Sequence, residues 1–215
     1  MARVTVEAWP CDPNEVKPHA GEPPFRIRGI AYSNLLERGA EGLPGGAAAF
    51  LQLLPRETAE FLRSTIFLAS ATYDVVPFVR ALTVAAEIAR LPLSKFVRDR
   101  SRTTAERDVT GMYRAQMRGA TASEMSARMP RMFARYFEPS SATILGSSAA
   151  GQVVRFSQLP AGIVGFYAWN VEGFVEGALA STPEGKHIGF DWSAPVEDTL
   201  IAGVPTVSAE CRMSW

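Results

Sequence analysis

The side chains that could carry acid–base chemistry are few in this sequence of 215 residues. Its two histidines do not pair, because His19 lies in a proline-rich stretch and His187 follows Lys186 at the start of a predicted strand. We expect His187 at the surface or at a strand edge rather than in the role of a general base. Four carboxylates stand in apolar surroundings, where burial would raise their pKa towards neutrality: Glu87, Glu172, Glu176 and Asp191. The catalytic residues, if any, stay unassigned.

Motifs for metals and nucleophiles are also missing from the sequence. Cys11 and Cys211 lie near opposite ends, and neither has a second Cys or a His at ligand spacing, which excludes the usual zinc frameworks. The sequence contains no Gly-x-Ser-x-Gly, Walker or His-Glu-x-x-His motif. We therefore predict no metal site, no cofactor and two free, mostly buried thiols, although a disulfide stays open if the chain ends meet.

The basic residues cluster in the middle of the chain. Overall, 22 Lys and Arg balance 22 Asp and Glu, yet residues 92–137 hold ten basic and four acidic side chains. Clustered arginines are typical of surfaces that bind nucleic acids. Here they alternate with apolar residues at helical spacing, as on the solvated faces of helices, and the net charge of zero provides no long-range steering. The pattern predicts no nucleic-acid partner.

Methionine and aromatic side chains recur on single faces of three predicted helices. Methionine repacks easily around irregular shapes, and small-molecule sites combine apolar walls with a few polar groups. The last of these helices carries a stripe of two rings and one amide at four-residue intervals. We predict an apolar cavity that binds a hydrophobic or aromatic small molecule, lined by Met112, Tyr113, Met117, Met129, Phe133, Phe166, Asn170 and Phe174.

Two other interpretations of these residues stay open. The same side chains could interlock as a solid core, because ordinary cores have this composition too. The protein could instead be an enzyme in which Tyr113, Glu172, Asp191 or a thiol supplies proton-transfer or addition chemistry inside the cavity. An apolar pocket with few ionisable groups binds more readily than it catalyses, so we favour a binding or sensory protein.

The elements that must position these residues follow from the periodicity. Five prolines predict an irregular N-terminal arm over residues 1–24. A strand over 25–30 and several helices follow, of which the amphipathic helix over 74–91 is the clearest. Thr103–Glu106 and Thr121–Glu124 both match the capping box, which predicts two helix starts. Pro130 then stops or restarts the second helix.

After residue 139 the pattern changes to that of strands. Segments 142–147 and 152–157 predict an antiparallel hairpin, and a helix over 161–179 and strands over 186–193 and 205–213 follow. Glycines are expected at close approaches of that helix to its neighbours: Gly165, Gly173 and Gly177. Helices and strands without a strict βαβ repeat predict an α+β fold, a helical layer packed on an antiparallel sheet, in a single domain over residues 25–215.

The sequence also predicts location and assembly. The longest apolar stretch, Ala161 to Trp169, is too short to span a membrane, and residues 1–7 lack the apolar region of a secretory signal. We expect a cytoplasmic protein without a membrane partner. A sheet whose last strand lies near the chain terminus leaves an open edge, which proteins shield by self-association among other means. We therefore expect a homodimer.

In its short sequence motifs, which are spread over residues 25–215, the chain resembles a Myxococcales-restricted family of unknown function. They include Arg28-Gly29-Ile30, Gly111-Met112-Tyr113, Met129-Pro130-Arg131 and Gly173-Phe174-Val175-Glu176-Gly177. The closing pattern, a helix with spaced glycines before two strands, is distantly similar to the vinyl-reductase-like and haem-nitric-oxide-binding-like folds. This resemblance implies a bacterial protein that encloses a small molecule or acts in a sensor. The sequence lacks the Tyr-x-Ser-x-Arg motif and the proximal helical His of the haem proteins, so haem is not expected.

Overall fold

The computed structural model describes residues 5–16, 22–38, 45–111, 120–180, 182 and 184–215. Their α-helices are α1 (Gly29–Arg38), α2 (Gly46–Leu53), α3 (Arg56–Ser64), α4 (Val75–Ala89), α5 (Leu93–Thr110), α6 (Ala122–Ser126), α7 (Met129–Tyr136) and α8 (Val164–Leu179). Their strands are β1 (Arg26–Arg28), β2 (Thr72–Asp74), β3 (Phe137–Glu138), β4 (Ser141–Ser148), β5 (Gly151–Pro160), β6 (Gly189–Trp192), β7 (Val196–Ile201) and β8 (Val204–Ser214). None of the helices described is both long and apolar enough to cross a membrane.

The strands form two antiparallel sheets. In the small sheet, β1 lies between β2 and β3. In the large sheet the order is β4-β5-β8-β6, and β7 pairs with the N-terminal half of β8 on the side that β6 also occupies. Alternate residues of β5 and β8 are buried on one face, as the period of two requires. The helices cover that face, which confirms the predicted α+β fold class in a single domain.

Helix α8 lies at the centre of the domain between α5 and the large sheet. It is buried on almost every side because nearly all of its residues are apolar or glycine. Gly173 and Gly177 face the backbone of α5, so the predicted close approach is confirmed at both positions. Gly165 lies against the N-terminal segment, where its N–H donates to the carbonyl of Pro10 at 2.9 Å.

The described part of the N-terminal segment is fastened to α8. Residues Val6–Ala8 form a short 3-10 helix, and the Trp169 indole donates to the carbonyl of Val6 at 2.9 Å. The Trp9 ring meets the Trp192 ring edge-on, with centroids 5.4 Å apart. These contacts hold the segment against the domain. The boundary at residue 24 stays a prediction.

Most of the predicted elements are present at the expected places. The carboxylate of Asp74 accepts a hydrogen bond from the N–H of Val76 and begins α4, and Arg90 ends it in the left-handed conformation with a φ of 55°. The predicted hairpin is the β4–β5 pair. Pro130 lies in the first turn of α7, so it restarts a helix rather than ending one.

One prediction about the elements is wrong, and one strand was missed. Thr103 does not begin a helix, because α5 already begins after Pro92 and continues through this position. The Thr103 hydroxyl instead donates to the carbonyl of Asp99 at 3.0 Å, one turn earlier. Strand β7 was not predicted, because its residues are mostly exposed and show no burial alternation.

The two capping-box matches differ in that only the one at Thr121 caps a helix, and mutation can test this difference. The Thr121 hydroxyl accepts from the N–H of Glu124 at 3.2 Å, and the Glu124 carboxylate accepts from the N–H of Thr121 at 2.9 Å. We expect Thr121→Ala to lower the free energy of unfolding by about 1 kcal/mol, measured in urea, because an orphan N–H loses its partner. Thr103→Ala, at the sequence match that caps nothing, should be neutral or slightly stabilising. Equal losses in the two variants would contradict this assignment.

Candidate functional site

A cavity of about 90 Å³, partly open to solvent, lies where the helical layer meets both sheets. Helices α1, α4, α5, α7 and α8 contribute side chains to its wall, together with β1, β3, β5 and β8. Each element therefore supplies one or a few residues, and the cavity exists only in the assembled fold. Its lining is mostly apolar.

Methionines and aromatic residues supply nine of the 22 described residues that line the cavity. Three methionines line the cavity: Met129, Met132 and Met213. The Phe133 ring packs against the rings of Phe137 and Phe156, with both centroid distances at 5.0 Å. Met129 and Phe133 are each only 8% exposed, so this part of the wall is buried. Methionine side chains can change rotamer at low cost, so the wall can adapt to an occupant.

A polar part of the wall is formed by three helices. Asn34 comes from α1, Arg100, Ser101 and Thr104 come from α5, and Asn170 comes from α8. The Ser101 hydroxyl donates to the backbone carbonyl of Asn170 at 2.7 Å, which fixes α5 against α8 at this point. The Asn34 side chain is almost fully buried although asparagine is disfavoured inside helices. The cavity therefore combines an apolar wall with a small polar region.

Four of the eight predicted site residues line this cavity: Met129, Phe133, Asn170 and Phe174. Phe166 is fully buried but lies behind the lining, where its ring contacts Phe78 and Phe137 with centroids 6.0 Å away in each case. Met112, Tyr113 and Met117 lie outside the described residues. The role of the whole set in ligand binding stays a prediction.

The sequence interpretation did not include several lining residues. Phe78 and Leu82 lie within the predicted helix over 74–91, and Met213 lies at the end of the predicted strand over 205–213, but none of the three was predicted in the site. Asn34 was not singled out at all. Its signal was present in the sequence, because an asparagine beside Leu35 on a short amphipathic helix breaks the local pattern, and such breaks concentrate at functional sites.

The candidate acid–base residues lie elsewhere. Glu172 is buried, accepts from the Trp192 indole at 3.1 Å and pairs with the Arg98 guanidinium at 3.0 Å. Burial raises the pKa of Glu172, and the charge of Arg98 opposes that rise. Glu87 and Asp191 are exposed. In the described part of the wall none of Glu87, Glu172, Glu176 and Asp191 reaches the cavity.

One carboxylate approaches the cavity indirectly. The hydroxyl of Tyr136, whose ring belongs to the lining, donates to the Asp108 carboxylate at 3.1 Å. Burial raises the pKa of Asp108, while the hydrogen bond from Tyr136 lowers it. This pair holds the ring in place. His187 is exposed just before β6, as predicted.

Both cysteines are free, as predicted. Burial raises the pKa of the Cys11 thiol to about 12 and raises that of Cys211 well above its usual value. A thiol with a raised pKa is a poor nucleophile at neutral pH. In the described wall neither cysteine lines the cavity, so thiol chemistry has no support there.

No protein-family model matches this chain, and no curated protein matches it by sequence. Solved structures do match. An H-NOX protein from K. algicida, in the unliganded Fe(II) form, has a TM-score of 0.56 at 9% identity, over 87% of this chain and 96% of that one. A mutant H-NOX protein from S. oneidensis in the Fe(II) state gives 0.55 at 13% identity, over 88% and 97%. A structure described as probing haem distortion in the H-NOX family gives 0.60 at 10%, over 88% and 95%. The chain therefore has the fold of H-NOX domains.

Proposed function

We propose that this protein binds a small hydrophobic or aromatic molecule in the cavity and acts as a small-molecule-binding or sensory protein. The observation that carries the proposal is the mostly apolar cavity between the helical layer and the two sheets. Protein cores normally fill such space, since an empty void loses dispersion contacts and stability. The H-NOX fold of the chain adds support, because the similar structures are described by their Fe(II) and haem ligation.

The volume of the cavity limits the size of the ligand. An engineered cavity of about 150 Å³ lined by apolar side chains binds benzene or xenon. The cavity here measures about 90 Å³, so a single ring fits only if the methionines repack around it. We expect a ligand no larger than one small ring with short substituents.

The residues of the cavity do not fit haem. Protein ligands of haem iron are histidine, cysteinate, tyrosinate or methionine paired with histidine. The described lining contains no histidine and no cysteine, and the hydroxyl of its tyrosine, Tyr136, is bonded to Asp108. A space of about 90 Å³ also cannot hold a porphyrin. In the part of the chain that the structure describes, the fold of H-NOX domains is therefore combined with a cavity lining that does not suit haem.

An enzymatic role has less support than binding. Catalysis by proton transfer needs a titratable group within reach of the ligand. In the described wall, the carboxylates and thiols named above do not reach the cavity. Tyr113, which the enzyme interpretation also named, lies outside the described residues. Binding is therefore the function that we propose.

Three further expectations go beyond the cavity. Val196 and Leu200 on the edge strand β7 are 65% and 69% exposed, which supports the expected homodimer. The myxobacterial origin and the cytoplasmic location rest on the sequence patterns alone. All three remain proposals.

Titration calorimetry with toluene tests the proposed function. We expect the parent protein to bind toluene at one site per chain and Phe174→Trp to weaken that binding at least fivefold, because the larger indole fills the cavity. Phe190→Trp is the matched control, because Phe190 is not in the lining. The Arg98 guanidinium lies over the Phe190 ring, 5.8 Å from the ring centroid. This variant should bind like the parent. If the parent binds neither toluene nor phenol, the proposed function fails.

The natural ligand can be sought directly. Native mass spectrometry of gently purified protein would reveal a co-purified small molecule as an added mass on the folded chain. Loss of that mass in Phe174→Trp but not in Phe190→Trp would place the molecule in the cavity.

A further inference from the structure

We propose that the cavity selects a neutral ligand that carries one hydrogen-bonding group on a small ring, such as a phenol, and that Asn34 and Asn170 recognise this group. The inference rests on the proposed function and specifies the ligand class of the same cavity. It starts from two amides in a mostly apolar lining.

Asn34 is mostly buried, and its amide has no hydrogen-bonding partner among the described residues. It is 8% exposed and lines the cavity from α1, and its amide makes no hydrogen bond with any residue in the described part of the chain. In a mostly apolar lining such an amide has few groups to replace its bonds to water, which costs stability unless a ligand supplies a partner. Such a cost is typical of positions kept for binding rather than for folding.

Asn170 provides a second amide from the opposite element. Its backbone carbonyl accepts from the Ser101 hydroxyl at 2.7 Å, which fixes this turn of α8 against α5. Its side-chain amide lines the cavity and, like that of Asn34, makes no hydrogen bond with a described residue. An amide offers both a donor and an acceptor, so two of them can pair with one hydroxyl or carbonyl. Most of the remaining lining suits an apolar ring.

Phenol and toluene separate the polar contribution from the apolar one, because they have nearly the same shape. We expect Asn34→Leu to weaken phenol binding about fivefold to tenfold, the usual effect of one neutral hydrogen bond. Toluene binding should be unchanged or tighter. Asn170→Leu should act in the same direction. Asn14→Leu, at an exposed amide outside the cavity lining, is the control and should change neither affinity.

Urea unfolding without ligand provides a readout that does not depend on binding. Leucine removes an unpartnered polar group from an apolar site, so Asn34→Leu should shift the unfolding midpoint to higher urea concentration. A lower midpoint would mean that the amide supports the fold, and it would overturn the proposal.

The possible failures are distinct. If neither phenol nor toluene binds the parent, the proposed function fails. If both bind and Asn34→Leu leaves their affinity ratio unchanged, the cavity binds ligands without using the amide, and only the present inference fails. Benzoate that binds more tightly than phenol would assign the polar end to Arg100, the one charged side chain in the described lining, and would also overturn it.

Discussion

Gly173→Ala is expected to lower the free energy of unfolding by about 3 kcal/mol, the upper part of the range for overpacked sites. A Cβ atom at this position would overlap the backbone carbonyl oxygen of Arg98 on α5. Backbone atoms cannot rotate away as a side chain can, so the whole of α5 must shift. Equilibrium unfolding in urea measures the loss as a lower midpoint with an unchanged slope.

The same geometry recurs one turn later, which provides an internal check. A Cβ atom on Gly177 would overlap the carbonyl oxygen of Arg102, so Gly177→Ala should be destabilising to a similar degree. Gly146→Ala is the matched control, because Gly146 on β4 has open space where the methyl group would lie. That substitution should be neutral or stabilising by about 0.5 kcal/mol. A loss at Gly146 as large as at Gly173 would mean that helix contact is not the cause.

The contact between α5 and α8 also bears on the cavity. Ser101 and Thr104 reach the lining from α5, and Asn170 and Phe174 reach it from α8. If α5 moves outward in Gly173→Ala, the wall formed by these residues opens. The variant should therefore bind toluene differently from the parent even where it remains folded.

Local signals were sufficient to predict most of the elements. The helix over 74–91 is visible in the sequence because a capping carboxylate precedes a regular stripe of apolar residues, and both features act within a few residues. The β4–β5 hairpin is visible because its alternation and its turn are local too. The spacing of Gly173 and Gly177 predicted a close approach, although it could not indicate which helix would approach.

The errors have a common physical origin. Thr103 and Thr121 begin nearly the same four-residue motif. Only Thr121 precedes the first turn of a helix, so only its side chain can bind N–H groups that lack a partner within the helix. Whether such a four-residue motif caps a helix depends on whether a helix that begins earlier in the chain already continues through it. The sequence shows Asn34 as a break in the apolar pattern of α1, but the position of Asn34 in the cavity depends on how all the elements of the wall assemble, which no local pattern specifies.

Part of the site could be predicted because adaptable side chains are recognisable by type. Met129 and Phe133 were found in this way, and both are in the lining. Phe166 was selected by its four-residue spacing from Asn170, yet it is one layer further from the cavity. A stripe on a helix has a finite length, and only the part that faces a gap between neighbours can line a cavity.

Because Phe166 lies one layer behind the cavity lining, its removal should affect both stability and ligand binding. We expect Phe166→Ala to lower the free energy of unfolding by about 3 to 5 kcal/mol, since removing a fully buried ring loses its transfer free energy and leaves a void. The void lies directly behind Phe78 and Phe137, whose rings contact Phe166 and also line the cavity. It should therefore merge with the existing cavity. Urea unfolding measures the loss, and calorimetry with toluene and naphthalene measures the enlargement.

The merged cavity distinguishes this substitution from ordinary core damage. In Phe166→Ala, naphthalene should bind at one site per chain and raise the unfolding midpoint, because a ligand that binds only the folded state stabilises it. Phe50→Ala is the matched control: Phe50 is equally buried, on α2, and is not in the lining. It should lose comparable stability while the original site keeps its affinity for toluene and still excludes naphthalene. If Phe166→Ala instead shows two separate toluene sites, the new void is not connected to the cavity. The predicted place of Phe166 in the ligand site is then wrong.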